Sequence, residues 1–82
     1  MLLHIGGDVS VRLREIVVLL DGEAVKHSAA SREFIELAKA EGRFVATSRE
    51  EPKSYVITTH LVYASPISAL TLARRAELGE VL

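Results

Sequence analysis

Four basic side chains, Arg12, Arg14, Arg49 and Lys53, are the residues of this 82-residue chain whose placement best fits a chemical task. Arg12 and Arg14 fall in a stretch that alternates, with Val9, Val11 and Leu13 on one side and Ser10, Arg12 and Arg14 on the other. In an extended strand this spacing puts both guanidinium groups on one face, ~6.5–7 Å apart along the backbone. Two such forks suit successive phosphates, because a guanidinium binds phosphate bidentately. The plainer reading is that they pair with Glu15, Asp21 or an acid of a neighbouring chain, or only keep that face wet, as exposed charges usually do. Arg49 and Lys53 lie in a polar loop, and Glu50 and Glu51 between them oppose the attraction of a polyanion. Arg74 and Arg75 read as cations in the last turns of a second helix, where the helix dipole favours them, or as residues that cross a subunit boundary.

Other chemistry finds less support. Gly6-Gly7 resembles a phosphate-binding loop only superficially, since such loops lead from a strand into a helix N-terminus and these glycines lead into another strand. A hairpin turn is the expected role. His4, His27 and His60 are dispersed without metal-ligand spacing, and are expected to be structural or surface histidines. A grouping of Ser10, His4 and Asp8 lacks a nucleophile elbow or an oxyanion hole. The chain has no cysteine, hence no disulfide framework, thiolate nucleophile or zinc knuckle. No catalytic residue, metal, cofactor or small-molecule substrate is expected.

The elements that must position the arginines follow from periodicity and turn signals. Residues 2–5 form a short apolar strand, a turn at Gly6-Gly7-Asp8 reverses it, and residues 9–13 form the alternating strand. Residues 16–20 are a continuous apolar run, the pattern of a strand buried on both faces, ended by Asp21-Gly22. Residues 22–30 read as a connecting loop. A helix then starts near Ser28 or Ser31, either of which can cap it. Its apolar stripe is Ala30, Phe34, Leu37 and Ala38, widened by Ile35, and Gly42 closes it. Residues 44–46 are a short strand and 47–53 a polar loop. Residues 55–63 read as two short strands reversing at Thr58, Thr59 and His60, with one long strand as the alternative. Ser65-Pro66 marks the start of a second helix, from Ile67 to about Leu78, apolar over a wide arc.

The order is strands, helix, strands, helix, within a single domain spanning residues 1–82. Short connections favour antiparallel pairing, so the expected class is α+β: a small, mostly antiparallel sheet with one covering helix, and a C-terminal helix against the sheet or a neighbour. The composition is 49% apolar with ten basic and eleven acidic residues, net charge −1. A domain this small buries only roughly 60–65% of the surface of its unfolded chain. The apolar surplus argues for a homo-oligomer whose interfaces extend the core. Membrane insertion is not expected, because charges interrupt every stretch before the ~20 residues that span a bilayer. Without a secretory leader pattern, the expected location is the cytoplasm.

One resemblance covers nearly the whole chain in order. His4-Ile5-Gly6-Gly7-Asp8 and Arg14-Glu15-Ile16-Val17 come first, then Pro52-Lys53-Ser54 and Val56-Ile57-Thr58. Tyr63-Ala64-Ser65-Pro66-Ile67-Ser68 follows, then Thr71-Leu72 with Arg74-Arg75-Ala76. Together these segments resemble the RemB family of extracellular-matrix regulators, related to the biofilm activator RemA. The resemblance implies a small bacterial cytoplasmic protein that helps to control transcription of matrix genes. In the RemA branch it implies ring-shaped oligomers that bind DNA around an outer surface. On that basis Arg14 matches the arginine before the apolar strand that serves DNA binding, and Lys53 falls in the region of the other basic cluster. Where RemA has adjacent arginines in the loop, this chain has Arg49 followed by Glu50 and Glu51. The expected function is non-enzymatic binding of double-stranded DNA through Arg14, Arg12, Arg49 and Lys53. Repetition of that patch in an oligomer would raise its effective concentration. The alternative is an oligomeric protein-interaction scaffold of the same fold without DNA affinity.

Overall fold

A computed structural model of the chain describes the backbone of residues 1–81 and the side chains of residues 1–77. Ten elements follow one another: β1 (Leu2–Gly6), β2 (Val9–Arg12), a 3-10 turn (Leu13–Glu15), β3 (Ile16–Asp21), α1 (Gly22–Lys26), α2 (Ala29–Ala40), β4 (Phe44–Ala46), β5 (Ser54–Thr58), β6 (Val62–Ser65) and α3 (Ala69–Val81). The fold is α+β. β1 and β2 form an antiparallel hairpin of their own, and the other strands make a four-stranded sheet in the order β3-β5-β6-β4. Its β3–β5 and β5–β6 pairs are antiparallel, whereas β4 runs parallel to β6. The loop of residues 47–53 must therefore carry the chain past the end of β6 to reach β5. It is tied there by Thr47 N–H donating to Ala64 O at 3.1 Å and Lys53 N–H donating to Ser65 O at 2.8 Å.

Each face of the central sheet carries its own core, because strand side chains alternate in direction. Val56, with Leu19 and Tyr63 beside it, packs under the hairpin residues Leu3, Ile5 and Val11 and under Leu72 of α3. Ile57 and Val62, with Leu20, Phe44 and Tyr55, pack under Val25 of α1 and Ile35 and Ala38 of α2. Two buried serines tie the first layer together. Ser65 Oγ donates to Ile5 O at 2.5 Å and accepts from Ile67 N–H at 3.0 Å, and Ser54 Oγ donates to Ile67 O at 2.7 Å. At the hairpin turn Gly6 and Gly7 have φ of 143° and 52°, and both press on Thr47. A β-carbon at Gly6 would lie 2.5 Å from Thr47 Oγ1, so the glycines serve a turn and a close approach.

Several expectations are corrected. Residues 22–30 are not one loop, since α1 occupies Gly22–Lys26; five residues are too few to display a helical period. The C-terminal helix begins at Ala69, and its cap is Ser68, whose Oγ accepts from Thr71 N–H at 3.1 Å. Ser65 instead ends β6, where its hydroxyl is consumed by the hairpin. Because the helix runs to Val81, Arg74 and Arg75 fall in its middle rather than in its last turns. Two helices rather than one cover the second face. β3 is an edge strand rather than one buried on both faces: Val17 is 65% and Val18 39% exposed. The stripe of α2 is rotated too, with Ile35 and Ala38 buried while Ala30, Phe34 and Leu37 stay exposed.

Candidate nucleic-acid interface

The hairpin ladder ends at the pair Leu2↔Arg12, and Leu13 N–H donating to Met1 O at 3.1 Å closes it. The chain must then leave the hairpin layer and enter the central sheet at Ile16. The 3-10 turn Leu13–Glu15 makes that change of layer. Arg14 therefore sits on the turn and Arg12 at the end of β2, so the expectation that they share one strand face is not met. They are nevertheless brought together, since Arg12, Leu13 and Arg14 line one open recess with Met1 and Leu2, about 570 Å³ in volume. Both arginines are exposed.

Arg49 and Lys53 are placed at the other end of the sheet. The β3–β5 register runs from Ile16↔Thr58 beside the arginine turn to Asp21↔Ser54 beside Lys53. Four residue steps along β5 separate those pairs, ~13–14 Å at the usual rise. Arg49 follows Thr47, on which the tip of the hairpin rests, and the hairpin tip is the end remote from Arg12. Within one chain the four basic residues thus fall into two groups, the arginines at the turn and the two cations of the loop 47–53. The arginine pair is flanked by exposed Met1 and Leu2. Lys53 lines a recess of about 350 Å³ with Asp21, Glu23, Lys26, Glu51, Pro52 and Ser68, and acids dominate its charge.

Three of the ten lysines and arginines are ion-paired among the described residues. Lys26 pairs with Glu51 and Glu23, Lys39 with Glu36, and Arg43 with Glu41. Arg32 donates to Lys26 O, and Arg75 reaches His4 O at 3.5 Å. Arg12, Arg14, Arg49 and Lys53 form no ion pair among the described residues, and neither does exposed Arg74 on α3. Their charges remain available to an external anion. Glu51, which the sequence sets against a polyanion, has its charge matched by Lys26 at 2.5 Å; this pairing holds the carboxyl of Glu51 below its ordinary range and raises the ammonium of Lys26. Lys26 is a contributor that sequence reasoning missed. The only signal for it was a Glu23/Lys26 pair at helical spacing within residues taken as loop.

The histidine that sequence reasoning weighed for catalysis is engaged elsewhere: His4 Nε2 lies 2.8 Å from Gly7 O and braces the hairpin turn. Among the described residues no three His, Cys, Asp or Glu side chains are grouped to hold a metal ion, and no helix is long and apolar enough to cross a membrane. A surface of another kind lies along the free edge of β3. Val17, Val18, Leu20, Ala30, Ser31, Phe34 and Ile57 line a mostly apolar recess of about 380 Å³. Val17 is pushed outward by the register shift between Ile16 and Val18, which sequence periodicity does not reveal.

Comparison with known proteins places the chain in a family. The family described as RemA-like, extracellular matrix regulatory protein A-like, matches residues 2–76. Extracellular matrix regulatory protein B of Bacillus subtilis (strain 168) is 36% identical over 77 residues, covering 94% of this chain and 91% of that protein. The chain belongs to the RemA-like family of extracellular matrix regulatory proteins.

Proposed function

We propose that this regulator acts by binding double-stranded DNA as a homo-oligomer, in the bacterial cytoplasm, to control transcription of matrix genes. Arg12 and Arg14 form the principal phosphate-binding pair, and Arg49 and Lys53 a second. The observation that carries the reading is that Arg12 and Arg14 stand exposed at one open recess. Lys26, Lys39 and Arg43 are matched by acids, while the four candidate residues are exposed and without ion pairs among the described residues. A lone chain with two such pairs at opposite ends of a sheet, and net charge −1, would hold DNA weakly. Repetition of the pairs around an oligomer raises their effective concentration along one duplex. The exposed apolar edge of β3 and α2 supports self-association, because an uncovered apolar patch beside an unpaired strand edge is a hazard to a monomer. Recognition would be mainly of phosphate, with sequence read through DNA shape.

The scaffold reading has its own support in the acids around Lys53, which suit a basic protein surface better than DNA. Fluorescence anisotropy of a labelled duplex separates the two. DNA binding predicts that Arg12→Ala and Arg14→Ala each weaken affinity, with smaller losses for Arg49→Ala and Lys53→Ala. A chain of intact oligomeric mass that leaves the duplex free at low salt would instead establish the scaffold.

A further inference from the structure

We infer that α1 is the platform that positions the loop of residues 47–53, which carries Arg49 and Lys53, with Lys26 and Gly22 as positioning residues and Glu51 as the loop's anchor. The inference deepens the DNA-binding reading and rests on it for its functional meaning. Its geometry stands independently. Lys26 Nζ lies 2.5 Å from Glu51 Oε1 and 3.4 Å from Glu23 Oε1, so Lys26 sits between an acid of the loop and an acid of its own helix. One turn earlier the backbones meet directly, with Gly22 N–H donating to Lys53 O at 2.9 Å. No side chain fits at that junction. A β-carbon on Gly22 would lie 2.8 Å from Pro52 O and 3.0 Å from both the carbonyl carbon and oxygen of Lys53, all backbone atoms that cannot swing aside. Lys53 N–H is held from the opposite side by Ser65 O at 2.8 Å. The loop's last residues are thus clamped between α1 and β6, and the ion pair fixes the residue just before the clamp.

This arrangement reverses the meaning of Glu51. As a bare carboxylate in a DNA-binding loop it would repel phosphate, and removing its charge would strengthen binding. As an anchor matched by Lys26 it holds Lys53, and with it Arg49, in a fixed register on the surface, so removing its charge loosens the loop. Preorganisation of this kind matters for phosphate contacts, since an unconstrained loop must be ordered when the duplex binds.

The test measures amide hydrogen exchange at Gly22, Glu50 and Lys53 in the full chain, alongside duplex affinity, for the natural protein, Glu51→Gln, Lys26→Gln, the charge swap Lys26→Glu with Glu51→Lys, and Gly22→Ala. The clamp predicts that each Gln variant speeds exchange at these amides by about 1.4- to 5-fold, the range an exposed ion pair spans. The swap should restore slow exchange, and Gly22→Ala should speed it most. Glu51→Gln should bind DNA no more tightly than the natural chain. Unchanged exchange in both Gln variants, or tighter DNA binding by Glu51→Gln, would overturn the positioning role. Failure of every form to bind a duplex would remove the DNA reading alone, because the exchange rates still decide whether α1 holds the loop.

Discussion

Arg14 stands on a turn whose only evident job is to pass the chain from the hairpin to the central sheet, and its side chain is left without an acid among the described residues. If it contacts phosphate, Arg14→Ala should weaken binding to all duplex sequences alike and reduce the salt slope by about one for each copy that touches the duplex. A loss confined to one DNA sequence would mean base reading instead. Ser65 illustrates the opposite kind of residue. It is fully buried, and its hydroxyl serves both Ile5 and Ile67. Ser65→Ala should therefore cost ~1–3 kcal/mol in urea unfolding, because it strands buried partners. Both residues stand out in the sequence, but their settings do not. Alternation placed Arg14 on a strand face, since a short 3-10 turn leaves no periodic mark. Ser65-Pro66 has the form of a helix start, and only the folded hairpin, sixty residues away in the chain, competes for that hydroxyl.

At the scale of elements, strands and long helices were legible because their periods persist for several residues. The hairpin at Gly6-Gly7, the reversal near His60 and the closing Gly42, whose φ is 72°, all follow from local chemistry. What local chemistry could not give was which face of an element would be covered. Ile35 rather than Phe34 faces the sheet, and β3 lies at an edge, because pairing across the sheet decides both. Leu72 is the point where α3 is fastened to the first core, and it is fully buried. Leu72→Ala should cost ~2–5 kcal/mol, measured by denaturant unfolding, through lost burial and the cavity left behind. The α1–loop clamp carries a pH expectation. Glu51 is held below its ordinary range by Lys26, so its contribution is present above the ordinary carboxylate range and lost as pH falls through its lowered value. Lys26 is raised, so its contribution is present below the ordinary ammonium range and lost as pH rises through the raised value. Asp21, Glu23 and Lys53 share this recess, and His27 lies 3.9 Å from Glu23. Amide protection at Lys53 should accordingly fall in acid before the global fold is lost.

Across the whole molecule, the sequence already indicated too much apolar surface for so small a core, and the structure locates part of that surplus at Val17, Val18, Phe34 and Leu37. If this edge joins copies of the chain, Val17→Asp combined with Phe34→Asp should reduce the mass seen by light scattering while circular dichroism is unchanged. Equal mass in the variant would place the interface elsewhere. The division of basic residues between two ends of the sheet was not legible beforehand, because it depends on strand order rather than on spacing. It also gives the account its most direct test. One chain offers only four candidate phosphate contacts, so the slope of log affinity against log salt cannot be steeper than about −3.6 for a single copy on duplex DNA. The measurement is therefore a salt-series titration of a long duplex with the natural chain, its mass determined in the same solutions. A repeated basic surface predicts salt-sensitive binding with a slope steeper than that limit per assembled particle, made shallower by Arg14→Ala. An intact oligomer that ignores DNA at low salt, or binds it with little salt dependence, would contradict the account.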